Sequence, residues 1–570
     1  MNPANLLYGV SDRPPASVCL MNAAQHVMIL APTLVYPIVI LRAGGASDAA
    51  VVNGVSLSFV ALGIGTSLQS LRHRHIGSGY LLTATPTAAY LPAGIAAVTL
   101  GGSAMLFGMT LLAGLFEIML AQVIRRMRAF FPTEISGLCV LLIGTLLGVL
   151  GIRLLLGLDG SGVVRSTALG RDFALGVFAL AVMVGLNVWA VGRWRMYCAI
   201  IGMSAGYLAA AALGAVDAHS RATLRLAPIM DLPSSPNSLP SFSIDLVLPF
   251  MVGALACCLR GMGDITNCQK VNDRDWVRPD LTSIRNGIVA DGVSTIAASF
   301  LGTLGSSTYS SSVGMSTAAG VTARVIGFWT GGLLVVLSLF PVVAALMVSI
   351  PNPVMGAAIL FTGCFVMING LQIITYRLLD ARRTFIVGLA LTLGLSRDIF
   401  PTFYGGLPHA IQPFVGSSLI IGLLTALALN AVFRIGVRSR VTFMFDPGVD
   451  SPDVIRSFLE QQGAKWAARR DVIERAIFGT AQAAESIAEN SRLEGPIQIE
   501  VSFDEFNLDL KLSYRGDEFL IEDHRPTNEE IRDSDDGIRR LAGFLIQRNA
   551  DRVRSSRRGD KAVLECHYQH

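Results

Sequence analysis

The chain has 570 residues, of which 52% are hydrophobic and 15% charged, and its mean hydropathy is +0.55. A soluble domain carries about 25% charged residues, so this composition excludes an ordinary cytosolic enzyme, and the length excludes a single membrane anchor. The net charge of +4 conceals a division: residues 441–570 hold 18 Lys+Arg and 25 Asp+Glu, whereas residues 1–440 carry net +11. Two units are fused, one suited to lipid and one to water.

A helix needs roughly 20 apolar residues to cross about 30 Å of hydrocarbon. In chain order, spans are predicted near 17–41, 50–70, 79–98, 101–124, 132–156, 172–192, 197–216, 244–267, 283–304, 306–318, 321–349, 353–375, 384–401 and 414–436, fourteen in all. The first apolar run, Val18 to Leu41, is too long for the core of a secretory signal. The loops that share a side with the N-terminus hold Arg72 and Arg74; Arg125, Arg126 and Arg128; Arg193 and Arg195; Lys270, Arg274 and Arg278; and Arg377, Arg382 and Arg383. The opposite loops hold chiefly Arg42, Arg165, Arg221 and Arg225. Positive charge concentrates on the cytoplasmic side, so both termini are expected there, in a multi-pass protein of the inner (cytoplasmic) membrane.

Two spans are abnormal. Residues 83–92 read TATPTAAYLP and residues 306–317 read SSTYSSSVGMST, both rich in Ser and Thr and broken by Pro or Gly. Irregular backbone at membrane depth is tolerated only inside protein or beside a cavity. They are the third and tenth spans, each third within a half of seven, which points to inverted repeats and a midplane site. Two re-entrant loops that merely pack are the plainer alternative.

Ionisable groups inside spans are costly and mark function. Gln25 with His26 lies in the first span, Glu117 in the fourth, Arg260 with Asp264 in the eighth and Asp291 in the ninth. Arg260 and Asp264 stand four apart on one helix face, a spacing at which they pair with each other. Glu117 reads as a partner for a neighbouring helix, and His26 as either a satisfied interior histidine or a site group. The eight cysteines form no CxxC pair, and neither a metal site nor a cofactor is implied.

These residues resemble the nucleobase–ascorbate transporter family, also called nucleobase:cation symporter-2 or xanthine/uracil permeases. The likeness rests on YGVSDRPP (Tyr8 to Pro15), Gln25-His26, Gly263-Asp264-Ile265-Thr266, NGIVADGVSTIAASFLGT (Asn286 to Thr303) and Pro353-Val354-Met355-Gly356-Ala357. It covers about residues 6–440 and implies fourteen spans in a seven-plus-seven inverted repeat, the third and tenth each half strand and half helix. It also implies a core domain that slides against a gate domain, often within a homodimer.

The departures bear on the substrate. Where the family places a Glu, three residues before the Gly of its GD pair, this chain has Arg260; where it places Glu or Gln, Asn, x, Gly on the tenth span, this chain reads Ser311-Ser312-Val313-Gly314. A carboxylate accepts from the N–H groups of a base, whereas a guanidinium only donates. Arg260 would therefore recognise carbonyl oxygens or an anion such as urate, xanthinate or a carboxylate. Neutralised by Asp264, it would leave a neutral base as substrate. The expected lining is Gln25, His26, Thr87, Arg260, Asp264, Ser311, Ser312 and Gly314, with His26 and Asp264 as candidates for proton coupling. An anion exchanger, or a transporter-derived sensor read out by the tail, is the alternative to a proton-coupled nucleobase transporter. Neither an enzyme nor a nucleic-acid binder is indicated.

From Val441 the pattern becomes that of a small soluble α/β domain, which divides the chain at 1–440 and 441–570. Helices are predicted over Asp453–Gln462, Trp466–Asn490 and Gly537–Asn549, and strands over Ile497–Phe503, Leu508–Tyr514, Phe519–Glu522 and Ala562–His567. The order resembles the GHKL-type ATPase fold of histidine kinases and anti-sigma factors. Its nucleotide site would be degenerate: Glu489 follows Glu485 where the family has Asn, Asp523-His524-Arg525 lacks the Gly of Asp-x-Gly, and Gly537 alone matches the later glycines. The resemblance therefore implies a regulatory or docking domain.

Overall fold

The computed structural model describes the chain outside residues 1–5, 128–131, 159–168, 191–192, 217, 235–238, 275, 277–278, 376–378, 380, 409–410, 434–438, 467, 491–492, 505–506, 523, 527–536 and 570. Two compact units emerge, Met1–Asn430 and Ala431–His570.

The first unit is helical. Among the described residues seven helices are long and apolar enough to cross a membrane, or eight if one bent pair is counted as a span. The chain opens with α1 (Ala16–Leu30), a 3-10 turn over Ala31–Leu34 carrying Pro32, and α2 (Val35–Ala43). α3 (Asp48–Ser70) follows, capped by Ser47. Strand β1 (Ala84–Pro86) then leads through a 3-10 turn, Ala88–Tyr90, into α4 (Leu91–Met127). α4 absorbs the residues read as the end of one span and the whole of the next, and breaks at Gly101 and Gly102. Gly102 has φ 64° and ψ −159°, a conformation open to glycine alone.

The longer helices that follow are α5 (Thr133–Leu155), α6 (Leu169–Trp189), α7 (Cys198–Ala212), α8 (Ile244–Asn272) and α9 (Leu281–Phe300). Strand β2 (Ser306–Thr308) and the short α10 (Ser310–Ala319) come next. After them run α11 (Val325–Ser338), α12 (Pro341–Val348), α13 (Asn352–Thr375), α14 (Ala381–Ile399) and α15 (Ser418–Phe433). The stretch 321–349, expected as one span, is two helices meeting at 83°. Pro341 stands in the first turn of α12 and cannot continue α11 through it. α7 and α15 have only 15 and 16 residues, and α14 carries Arg382, Arg383, Arg397 and Asp398, which keeps all three outside the length-and-apolarity criterion.

The most extensive helix pair is α5 with α13, and its cause is legible in glycines. Gly137, Gly144 and Gly151 recur every seven residues on α5, as do Gly356, Gly363 and Gly370 on α13. A Cβ at Gly137 would lie 2.8 Å from the Ile374 nitrogen, and one at Gly151 would lie 2.7 Å from the Leu360 nitrogen. The backbones thus touch, which gains dispersion contacts where apolar burial supplies no drive between helices. Arg383 on α14 closes an ion pair of 3.2 Å with buried Glu134 on α5.

The second unit is a five-stranded antiparallel sheet with helices on one face. Its elements are β3 (Ser439–Phe445), α16 (Pro452–Lys465), α17 (Arg470–Asn490), β4 (Ile497–Phe503), β5 (Asn507–Tyr514), α18 (Gly537–Asn549), β6 (Arg552–Arg558) and β7 (Lys561–Gln569). The strand order is β3-β4-β5-β7-β6. Alternation places Ile499, Val501, Leu510, Leu512, Leu564 and Tyr568 on the helix side, against Ile473, Ile477, Ile487 and Ile546. The expected strand at Phe519–Glu522 is not a strand. Phe519 is instead buried in the core, and the Leu520 carbonyl occupies the space that a Cβ at Gly543 on α18 would need. Strands β3 and β6 lie outside the strands expected from sequence; β6 is an arginine-rich edge of the sheet, and charge on an edge strand blocks further pairing.

Candidate functional site

The two broken spans meet. β1 pairs antiparallel with β2, with Ala84 opposite Thr308, Thr85 opposite Ser307 and Pro86 opposite Ser306. Beyond the ladder the Thr87 N–H donates to the Gly305 carbonyl (3.3 Å) and the Tyr309 N–H to the Thr83 carbonyl (3.0 Å). A helix leads away from each strand, so two helix N-termini flank one short ladder inside the protein. Backbone N–H groups at such termini favour anions and carbonyl oxygens.

The ladder is fixed by hydroxyls from its surroundings. The Ala84 N–H donates to Thr66 Oγ1 of α3 (3.0 Å), and Thr85 Oγ1 donates to Thr33 Oγ1 (2.8 Å). Ser294 and Ser306 hydroxyls lie 2.7 Å apart, and Thr295 Oγ1 donates to the Ser306 carbonyl (3.1 Å). All of these side chains are buried, so the Ser/Thr-rich composition read from sequence serves to satisfy polar backbone in an apolar setting.

The eight residues singled out from sequence divide between framework and surface. Gln25 and His26 are buried on α1; His26 Nε2 faces Ser316 Oγ of α10 at 3.3 Å, and among the described residues neither Gln25 Oε1 nor His26 Nδ1 has a hydrogen-bond partner. Thr87 caps the turn before α4, its Oγ1 accepting from the Ala89 N–H (3.2 Å). Ser312, fully buried, accepts from the Thr83 N–H (3.4 Å) and so ties α10 to β1. Ser311 is half-buried, and Gly314 is exposed with open space where a Cβ would stand. Arg260 and Asp264 lie on α8, their side chains 12% and 9% accessible, with Nε 3.9 Å from Oδ2.

Several residues missed as lining complete the picture. Thr308 of β2 donates to Asp264 Oδ2 at 2.7 Å, which joins the eighth-span carboxylate to the strand crossing. Asp291, buried on α9, accepts from Gln69 Nε2 at 2.8 Å. Gly261 stands beside it, where a Cβ would lie 3.3 Å from Asp291 Oδ2. The GDIT and NGIVADG segments carried this signal, since both carboxylates fall in apolar runs; their meeting at β2 is set by tertiary structure. Glu117, read as a helix partner, accepts from the Tyr90 hydroxyl at 2.6 Å.

In the second unit, Glu485 and Glu489 both lie exposed on α17, and Asp523 lies outside the described residues. A cavity of about 370 Å³ opens on the sheet face away from the helices, lined by Arg440, Glu500, Asp509, Lys511, Arg554 and His567 among others. There Arg440 pairs with Glu500 at 2.9 Å, and His567 Nδ1 meets Asp509 Oδ1 at 2.6 Å. That hydrogen bond raises the His567 pKa above its ordinary value.

A helical membrane protein in which two interrupted spans cross as antiparallel strands, among buried polar groups, is a membrane transporter. The chain belongs to the xanthine/uracil permease family, whose model, described as a permease family, matches residues 18–402. It is 29% identical over 469 residues to the xanthine permease XanQ of Escherichia coli (strain K12), covering 79% of this chain and 98% of that one. It is 26% identical over 443 residues to the xanthine permease XanP of the same strain, covering 75% and 95%. Among solved structures it resembles the murine anion transporter Slc26a9 in the inward-facing state, with a TM-score of 0.50 at 12% identity over 77% of this chain and 72% of that one. That last likeness concerns the fold.

Proposed function

We propose that this permease moves a nucleobase of the uracil, xanthine or urate class across the cytoplasmic membrane by proton-coupled secondary transport. Its membrane unit, residues 1–440, is a fourteen-span, seven-plus-seven inverted repeat with both termini cytoplasmic, able to assemble as a homodimer. The observation that carries the reading is the antiparallel crossing of β1 and β2 beside Arg260 and Asp264, in a chain whose relatives include two xanthine permeases.

In this reading Gln25, His26, Thr87, Arg260, Asp264, Ser311, Ser312 and Gly314 line the site. Arg260 donates to carbonyl oxygens of the base, and the first-turn N–H groups of α10 add donors that carry no side-chain cost. His26 and Asp264 are the coupling candidates. The lost carboxylate at position 260 shifts preference toward oxygen-rich bases, since a guanidinium has no acceptor for ring N–H groups.

The tail, residues 441–570, is a regulatory domain of degenerate GHKL type. The order strand, two helices, two strands, helix, two strands supports that assignment, and Glu489 in place of a magnesium-binding Asn argues against hydrolysis. Uptake of labelled xanthine, urate and uracil into proteoliposomes, with and without an inward proton gradient, tests the whole reading. Accumulation of at least one base that collapses with the gradient is expected.

A further inference from the structure

Tyr90 fills a slot between β1, β2 and α8. Its ring is 1% exposed and stacks on Phe250 of α8 with centroids 5.8 Å apart. Two glycines make the room: a Cβ at Gly253 of α8 would lie 2.7 Å from the Tyr90 Cδ1, and a Cβ at Gly305, just before β2, would lie 2.7 Å from its Cε2. Tyr90 itself ends the turn that follows β1. One ring therefore touches both broken spans and the helix that carries Arg260 and Asp264.

The hydroxyl of that ring is anchored from behind. Glu117, with no exposed surface, accepts from it at 2.6 Å through Oε1. Glu117 also lies against α9, where a Cβ at Gly292 would come 3.2 Å from the Glu117 Cβ. A carboxyl buried at membrane depth is costly unless it does something; here it bonds the Tyr90 hydroxyl and also meets Thr295 of α9, which donates to the Ser306 carbonyl of β2.

We infer that Tyr90 and Glu117 form a positioning pair for the substrate site: the carboxyl fixes the ring, and the ring fixes the spacing between β1, β2 and α8. Neither residue touches substrate in this scheme. The inference rests on the transport reading for its effect on uptake, and on geometry alone for its effect on the strands. The requirement is a hydrogen-bond acceptor at 117, so Gln serves there and Leu does not.

The test uses the full chain in lipid nanodiscs and three variants, Tyr90→Phe, Glu117→Leu and Glu117→Gln. Backbone hydrogen exchange is read at Thr87 and Tyr309, whose N–H groups close the crossing. Leaving the buried partner of a hydrogen bond unsatisfied shifts a local equilibrium by about tenfold, so Tyr90→Phe and Glu117→Leu accelerate exchange there by about that factor and leave α5 and α13 unchanged. Glu117→Gln stays close to the parent. In uptake, the first two variants raise KM with kcat nearly kept, and Gln restores KM. Unchanged exchange in Tyr90→Phe overturns the proposal, as does damage by Gln equal to that by Leu. A parent protein that takes up no base refutes the transport reading, and the exchange arm still decides this one.

Discussion

Arg260 Nε stands 3.9 Å from Asp264 Oδ2, and that same oxygen accepts a 2.7 Å hydrogen bond from Thr308. The distance is beyond hydrogen-bond range for a nitrogen donor, so the guanidinium is attracted to Asp264 without being locked on it. The carboxylate is held by strand β2 instead. In the proposed reading Arg260 thus keeps donors for a ligand while Asp264 offsets part of its burial cost.

From this follows the first prediction. Arg260→Gln weakens binding of an oxygen-rich base, and Arg260→Glu abolishes it, because truncating a buried donor to an anionic or carbonyl partner costs about 2–3 kcal/mol. Ligand-induced thermal shift on purified protein measures this. Equal shifts in parent and Arg260→Glu would make Arg260 a structural residue.

A second prediction concerns the contact of α5 with α13. A Cβ at Gly144 would press on the backbone of Met367, whereas one at Gly148 meets open space. Gly144→Ala should therefore destabilise the membrane unit by about 1–3 kcal/mol through overpacking, and Gly148→Ala should not. The unfolding midpoint in detergent reports the difference.

The third prediction is a pH dependence in the tail. The hydrogen bond that His567 donates to Asp509 raises the His567 pKa, so this group adds stability that is fully present below the unfolded value of about 6.5. That stability is lost as pH rises through the folded value. Both side chains are about a third accessible, so solvent screening keeps the effect small. Protection of β5 and β7, taken relative to the intrinsic base-catalysed exchange rate, should fall modestly between pH 6 and pH 8.5, and Asp509→Asn should remove that change.

A fourth prediction addresses the nucleotide question. On the proposed degenerate GHKL reading, in which Glu489 takes the place of a magnesium-binding Asn, purified protein should show no magnesium-dependent ATP turnover above that of a variant lacking residues 441–570. Turnover lost on deletion of the tail would contradict the degenerate assignment.

Much of the fold was legible in one dimension because hydrophobicity alone sets where a helix can sit in lipid. The third and tenth spans announced their breaks through Thr, Ser and Pro where apolar residues belong, and β4, β5 and α18 followed from clean periodicity. The bend between Ser338 and Pro341 was hidden, since Leu339 and Phe340 keep the stretch apolar through the break. Strand β6 was hidden by its arginines, which suit an edge but mask alternation. At the site, composition marked Arg260, Asp264 and the serines, whereas Thr308 and Tyr90 depend on which segments cross. A threonine amid serines, or a tyrosine in an apolar run, carries no mark of a partner some 27 or 44 residues away.

The most direct test of the central claim is uptake by proteoliposomes holding the parent chain or Arg260→Glu, with labelled xanthine, urate and uracil under an imposed inward proton gradient. The account predicts gradient-dependent accumulation of an oxygen-rich base by the parent and none by the variant. No uptake of any base by the parent, or uptake unaffected by Arg260→Glu and by collapse of the gradient, would contradict it.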